Sequence, residues 1–129
     1  MSFELWMIAA SVLVLFAQIG IQSILLNREY GPEYNTGPRD ENKPLTGKAG
    51  RAKRMLSNYL ETYPAFVALA LAVVVSDGSD GLTQAGAGLY ILARIAYIPL
   101  YIQGVPRWRS AAFALGSLGL LAMLIGLVI

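Results

Sequence analysis

The chain has 129 residues, 56% of them hydrophobic and only 14% charged, against ~25% charged in an ordinary soluble domain, which argues against a water-soluble globule. Cysteine and histidine are both absent, which removes disulfides, thiol nucleophiles, the usual zinc sites and any mechanism that needs an imidazole base. The net charge of +2 conceals an asymmetry: nine of the ten basic residues lie between Arg28 and Arg54 or at Arg107 and Arg109, and only Arg94 lies elsewhere.

The first apolar run, Leu5 to Leu26, predicts a helix over about 3–27. It has no basic n-region, carries Glu4 instead and is too long for an h-region, so it reads as a retained span and not a cleaved signal. Ser11, Gln18 and Gln22 recur on one of its faces. From 28 to 50 the chain holds Gly31-Pro32, Gly37-Pro38, Pro44 and Gly47 among polar residues, a density of helix breakers that predicts a surface loop. The second helix is expected over about 51–76, with Arg54, Asn58 and Glu61 on one face within ~60° of arc and a bend at Pro64. After a tight polar turn (Ser76 to Gly81), the third helix, about 82–103, carries Tyr90, Arg94, Tyr97 and Tyr101 on one face. A second turn with Gly104 and Pro106 leads to the fourth, about 108–129, where Ala112, Gly116 and Gly119 form a small-residue stripe suited to close helix packing. The four apolar runs reach ~28 to 33 Å, which matches a hydrocarbon core of ~30 Å. The fold class is an all-α integral membrane protein, a single four-transmembrane-helix domain over residues 1–129.

With four spans, the loops after the first and third helices lie on one side of the membrane and hold all nine clustered cations, while the other side has no Lys or Arg. The expected orientation puts the basic loops in the cytoplasm and both termini outside, with Trp6 and Trp108 at the two interfaces.

Three helices each carry a polar stripe, and burying all three requires a common interior or a subunit interface. Counted from the basic side, Glu61 lies ~9 Å deep and Arg94 ~12 Å deep, so the two are expected to meet at one level. Such a cluster is either a packing element whose charges neutralise each other or a functional cleft, and helix spacing leaves both open. Lys53 reads as an ordinary interfacial charge.

RAKRMLSNYLETYPAF (Arg51 to Phe66) and ARIAYIPLYIQGVPRWRS (Ala93 to Ser110) together resemble the membrane-associated proteins in eicosanoid and glutathione metabolism, the MAPEG family. The resemblance runs over the whole chain, and its specific part is the Arg, Asn, Glu, Pro series of the second helix combined with the Arg, Tyr, Tyr series of the third. It implies a homotrimer of four-helix subunits that binds glutathione between neighbours near the cytoplasmic face. It also implies that Arg51, Arg54, Asn58, Glu61, Arg94, Tyr97 and Tyr101 hold the tripeptide, that Arg28 reaches an adjoining subunit's site, and that Arg109, or its neighbour Arg107, stabilises the glutathione thiolate. A bound glutathione would supply the nucleophile that a chain without Cys lacks. Thr62, Ser57 and Tyr97 depart from the patterns of the leukotriene C and prostaglandin E synthases. The resemblance therefore points to a bacterial-type general transferase toward lipophilic electrophiles, with glutathione peroxidase activity as a second outcome. Its partners are membrane lipid, glutathione and the electrophile; no metal and no nucleic acid is implied. Two other readings are a proton-coupled multidrug exporter using Glu61, which the nearby guanidinium groups oppose, and a non-catalytic scaffold of the same family.

Overall fold

The computed structural model describes all residues from Met1 to Ile129. The chain folds as five helices: α1 (Phe3–Tyr30), α2 (Pro32–Thr36), α3 (Gly47–Val75), α4 (Gly81–Ile102) and α5 (Pro106–Val128). All but α2 are long and apolar enough to cross a bilayer, and together they form the four-helix membrane bundle.

The segment expected to be loop over 28–50 is more ordered than its composition suggests. Gly31 closes α1 by donating its N–H to Asn27 O, and Pro32 then opens the short helix α2 at its first position, where a missing N–H costs nothing and the fixed φ suits a helix. A proline read as a breaker is here a starter. The same reason moves the start of α5 from the expected 108 back to Pro106. Helix α3 begins at Gly47 and not at 51, a few residues past Pro44, and Ala49, Gly50 and Ala52 in its first turns are buried. The rest of the segment is tied down by polar bonds. Lys43 N–H donates to Tyr34 Oη at 2.8 Å, Tyr30 Oη–H donates to Pro44 O, and Glu29 accepts from Thr46.

Helices α4 and α5 form the tightest pair. A Cβ on Gly119 would fall 2.6 Å from Gly86 O, and one on Gly86 would fall 2.6 Å from Gly119 O. Only hydrogen fits at both positions, so the small-residue stripe of α5 brings two backbones into contact. Next to it, Phe66, Ala70, Ala87, Tyr90, Ile91 and Met123 make the main apolar core, with Phe66 and Tyr90 stacked at 4.6 Å.

The polar face of α1 packs on α3. Tyr59 Oη–H donates to Ser11 O at 2.8 Å and Ser11 Oγ lies 3.0 Å from Tyr63 Oη. Gln18 is buried and donates to Val14 O at 3.2 Å, while Gln22 is half-buried. At the opposite end of the bundle from the basic loops, Glu4 is completely buried. Its carboxylate accepts from Ser79 Oγ at 2.9 Å and Thr83 Oγ1 at 2.7 Å. That contact fastens the start of α1 to the capping box of Asp80 and Thr83 that opens α4.

Candidate functional site

Near the basic end of the bundle the polar stripes of α3 and α4 converge. Arg94, three turns into α4, is 98% buried by its 2% relative exposure. Its Nη1 donates to Asn58 Oδ1 at 2.8 Å, and its guanidinium lies over the rings of Tyr97 at 4.3 Å and Tyr59 at 5.3 Å. Cation–π contact of this kind compensates part of the cost of burying the charge. Nε and Nη2 of Arg94 have no acceptor within the subunit. Buried donors on a charged group are costly to leave unpaired.

Next to Arg94 a recess of about 310 Å³ opens among Asn58, Tyr97, Tyr101, Arg109, Ser110 and Phe113. Tyr97 and Tyr101 tilt against each other at 5.2 Å, and the Arg109 guanidinium sits 4.9 Å over the Tyr101 ring. Arg109 reaches the recess from the first turn of α5 because the α4–α5 turn reverses the chain within a few residues. Arg107 is exposed and does not line it. Three helices thus place a carboxamide, two phenols and a guanidinium around one opening, a lining able to hold an anionic, amide-bearing ligand by directional hydrogen bonds.

The other expected residues are placed differently. Glu61 and Arg94 form no ion pair; the one ion pair within the chain is Lys43 with Glu41 at 3.7 Å. The reason is angular. At ~100° per residue, Asn58 lies on the edge of the α3 stripe nearest the buried face marked by Met55, Tyr59 and Phe66. Arg54 and Glu61 lie ~40° and ~60° further round, and both are exposed on the outside of the subunit. Arg54 lines a separate cleft of about 420 Å³ with Lys43, Lys53 and Ser57. Arg51 is turned toward the α4–α5 turn, where its Nε donates to Ile102 O at 2.7 Å. Arg28 is exposed in the last turn of α1.

Three residues of interest escape sequence reasoning. Ser110 and Phe113 line the recess, and the signal was present: Phe113 is one helical turn past Arg109 and so shares its face. Glu4 is the third, a buried carboxylate whose partners lie 75 and 79 residues away.

With this geometry, comparison with known proteins gives one positive result: the MAPEG family model matches residues 3–129, essentially the whole chain. No curated protein and no solved structure matches it individually.

Proposed function

The chain belongs to the MAPEG family, a group tied to glutathione and eicosanoid metabolism in membranes, and from that membership we propose that it is a membrane-bound glutathione transferase. Glutathione binds at the recess of Asn58, Tyr97, Tyr101 and Arg109, and an electrophile reaches it from the bilayer past Phe113. The observation that carries this reading is the recess itself, where Asn58, fixed by the buried Arg94, stands with Tyr97, Tyr101 and Arg109 around one opening. An anionic ligand suits the Arg109 guanidinium in that lining, and glutathione supplies two carboxylates.

The chemistry needs no protein nucleophile. A free thiol of pKa ~8.5 is mostly protonated at neutral pH, and the Arg109 guanidinium at the recess favours the thiolate by charge attraction. The thiol proton passes to water. The thiolate sulfur then attacks the electrophilic carbon, a C–S bond forms, and the leaving group departs with the electron pair of the bond it loses. With a lipid hydroperoxide in place of the electrophile, two glutathione thiols are oxidised to a disulfide while the hydroperoxide is reduced to an alcohol and water.

The active unit is a homotrimer with its basic end toward the cytoplasm. Support for the assembly comes from α3. Glu61 is 14 residues from Val75, or ~21 Å along the helix; in a ~30 Å core that leaves it well below the basic interface. An exposed carboxylate at that depth is costly against lipid and is stable against another protein surface. Arg54 and Glu61 then face a neighbouring subunit, and Arg28 at the end of α1 is in reach of that neighbour's site.

The test is a calorimetric titration of the purified protein with glutathione, followed by ultraviolet detection of bound thiolate and conjugation of chlorodinitrobenzene. Arg109→Ala abolishes the thiolate signal and lowers kcat/KM about 100-fold, while Arg107→Ala changes it less than about threefold. Wild-type protein that takes up no glutathione would refute the assignment.

A further inference from the structure

The α4–α5 turn carries the guanidinium that faces the recess, and one bond from a distant helix holds that turn in place. The carbonyls at the end of α4 can be accounted for one by one. Pro99 O accepts from Gln103 N–H, Tyr101 O from Gly104 N–H and Leu100 O from Val105 N–H, at 3.0 to 3.1 Å. Ile102 O is left over. Its helical partner would be the N–H of residue 106, which is a proline and has none. Val105, the next nearest donor, is already committed to Leu100. The orphan is satisfied by Arg51 of α3, whose Nε donates to it at 2.7 Å.

The same side chain packs on the turn itself. Gly104 adopts φ +72, and a Cβ there would lie 3.7 Å from Arg51 Cδ and Nε and 3.8 Å from Cζ. The guanidinium therefore covers the turn at its one left-handed residue. Its charge also sits at the carbonyl end of α4, the negative end of the helix dipole. Tyr101, immediately before the turn, and Arg109, in the first turn after it, are the residues in cation–π contact at the recess.

We propose that Arg51 is a positioning residue: a strut from α3 that fixes the α4–α5 turn and, through it, the placement of Arg109 and Tyr101 relative to Asn58. It acts on the reaction without touching glutathione. The kinetic consequence rests on the transferase reading given above; the structural consequence does not, and the two are measured separately.

The first measurement is amide hydrogen exchange on the full-length protein in lipid nanodiscs. Arg51→Met keeps the packing and removes the donor, and losing a charge-assisted hydrogen bond speeds local opening about 10- to 100-fold. That acceleration is expected at Gln103, Gly104 and Val105, with α1 unchanged. Arg51→Lys keeps a cationic donor and restores at least part of the protection. Gly104→Ala strains the turn from the other side without altering any charge and reproduces the acceleration, which covers the case in which Arg51→Met fails to fold. The second measurement is kinetic. In Arg51→Met and Gly104→Ala alike, kcat falls about 10- to 100-fold through misplacement of Arg109, while the calorimetric Kd for glutathione, still held by Asn58 and Tyr97, rises less than about tenfold.

Unchanged exchange over residues 103–105 in Arg51→Met overturns the strut. So does a loss of glutathione affinity above about tenfold with kcat preserved at saturation, since that pattern belongs to a direct ligand contact. If wild-type protein takes up no glutathione, the transferase reading fails and the exchange result alone decides the role of Arg51.

Discussion

Replacing Arg94 by Met separates a packing role for the polar cluster from a binding role, because the two make opposite forecasts. In the free protein the substitution removes one charged hydrogen bond to Asn58 at 2.8 Å and two cation–π contacts, together about 2–4 kcal/mol. It also removes a buried cation with two unpaired donors, whose desolvation costs several kcal/mol. The two sums roughly cancel or favour the variant, so unliganded Arg94→Met is expected to be as stable as the parent or about 1–3 kcal/mol more stable. Binding moves the other way. Arg94 fixes the Asn58 carboxamide that lines the recess; a charge-assisted hydrogen bond contributes about 1.5–3 kcal/mol, and at ~1.4 kcal/mol per tenfold its loss lowers glutathione affinity about 10- to 100-fold. Thermal unfolding in detergent without ligand, paired with a glutathione titration of the same preparation, reads both quantities. A variant that loses several kcal/mol of stability while keeping its glutathione affinity would refute the argument and make the cluster a packing device.

Two further substitutions test the bundle around the site. Gly119→Ala places a methyl group 2.6 Å from Gly86 O and 2.9 Å from Tyr90 N, backbone atoms that cannot turn aside. It should lower stability by about 1–3 kcal/mol, seen as a reduced unfolding temperature. Glu4→Ala removes the acceptor of the buried Thr83 hydroxyl and the link between α1 and α4, at a cost of about 1–3 kcal/mol. Glu4→Gln keeps an acceptor oxygen and should cost less in the same assay.

The spans were legible because a bilayer imposes a simple length rule, and each run of about twenty apolar residues satisfies it independently of its neighbours. The loop was less so: Gly31-Pro32 and Pro106 act as helix starters, and composition alone does not distinguish a proline that stops a helix from one that begins the next. Spacing placed Asn58, Arg94, Tyr97 and Tyr101 on faces that meet in the structure. It did not separate Asn58 from Glu61, because ~60° of arc on one helix decides between an inward bond to Arg94 and an outward position. Arg51 shows the same limit. The family resemblance implies a ligand contact for it, and within the subunit its Nε bonds Ile102 O, a destination set by the missing N–H of Pro106 and visible only when α3 and the α4–α5 turn are seen side by side.

These placements explain why a chain without Cys or His carries so much polar chemistry in a membrane. Within one subunit most inward polar groups are satisfied: Ser11 by Tyr63, Thr62 by Tyr90 and Glu4 by Ser79 and Thr83. The groups left over are Ser2 Oγ and Arg94 Nε and Nη2 inside the subunit, and the outward Arg54 and Glu61. The two remainders have different causes. An outward charge at membrane depth is stabilised by a permanent protein neighbour, which fits the proposed trimer. The inward Arg94 holds Asn58 at the edge of the recess, where the proposed ligand comes and goes. If Arg94 were completed by a neighbouring subunit instead, its loss would weaken assembly and leave the affinity of assembled protein for glutathione intact. Oligomer mass measured on Arg94→Met beside its glutathione titration therefore distinguishes the two, and the transferase reading requires an intact oligomer with weakened binding.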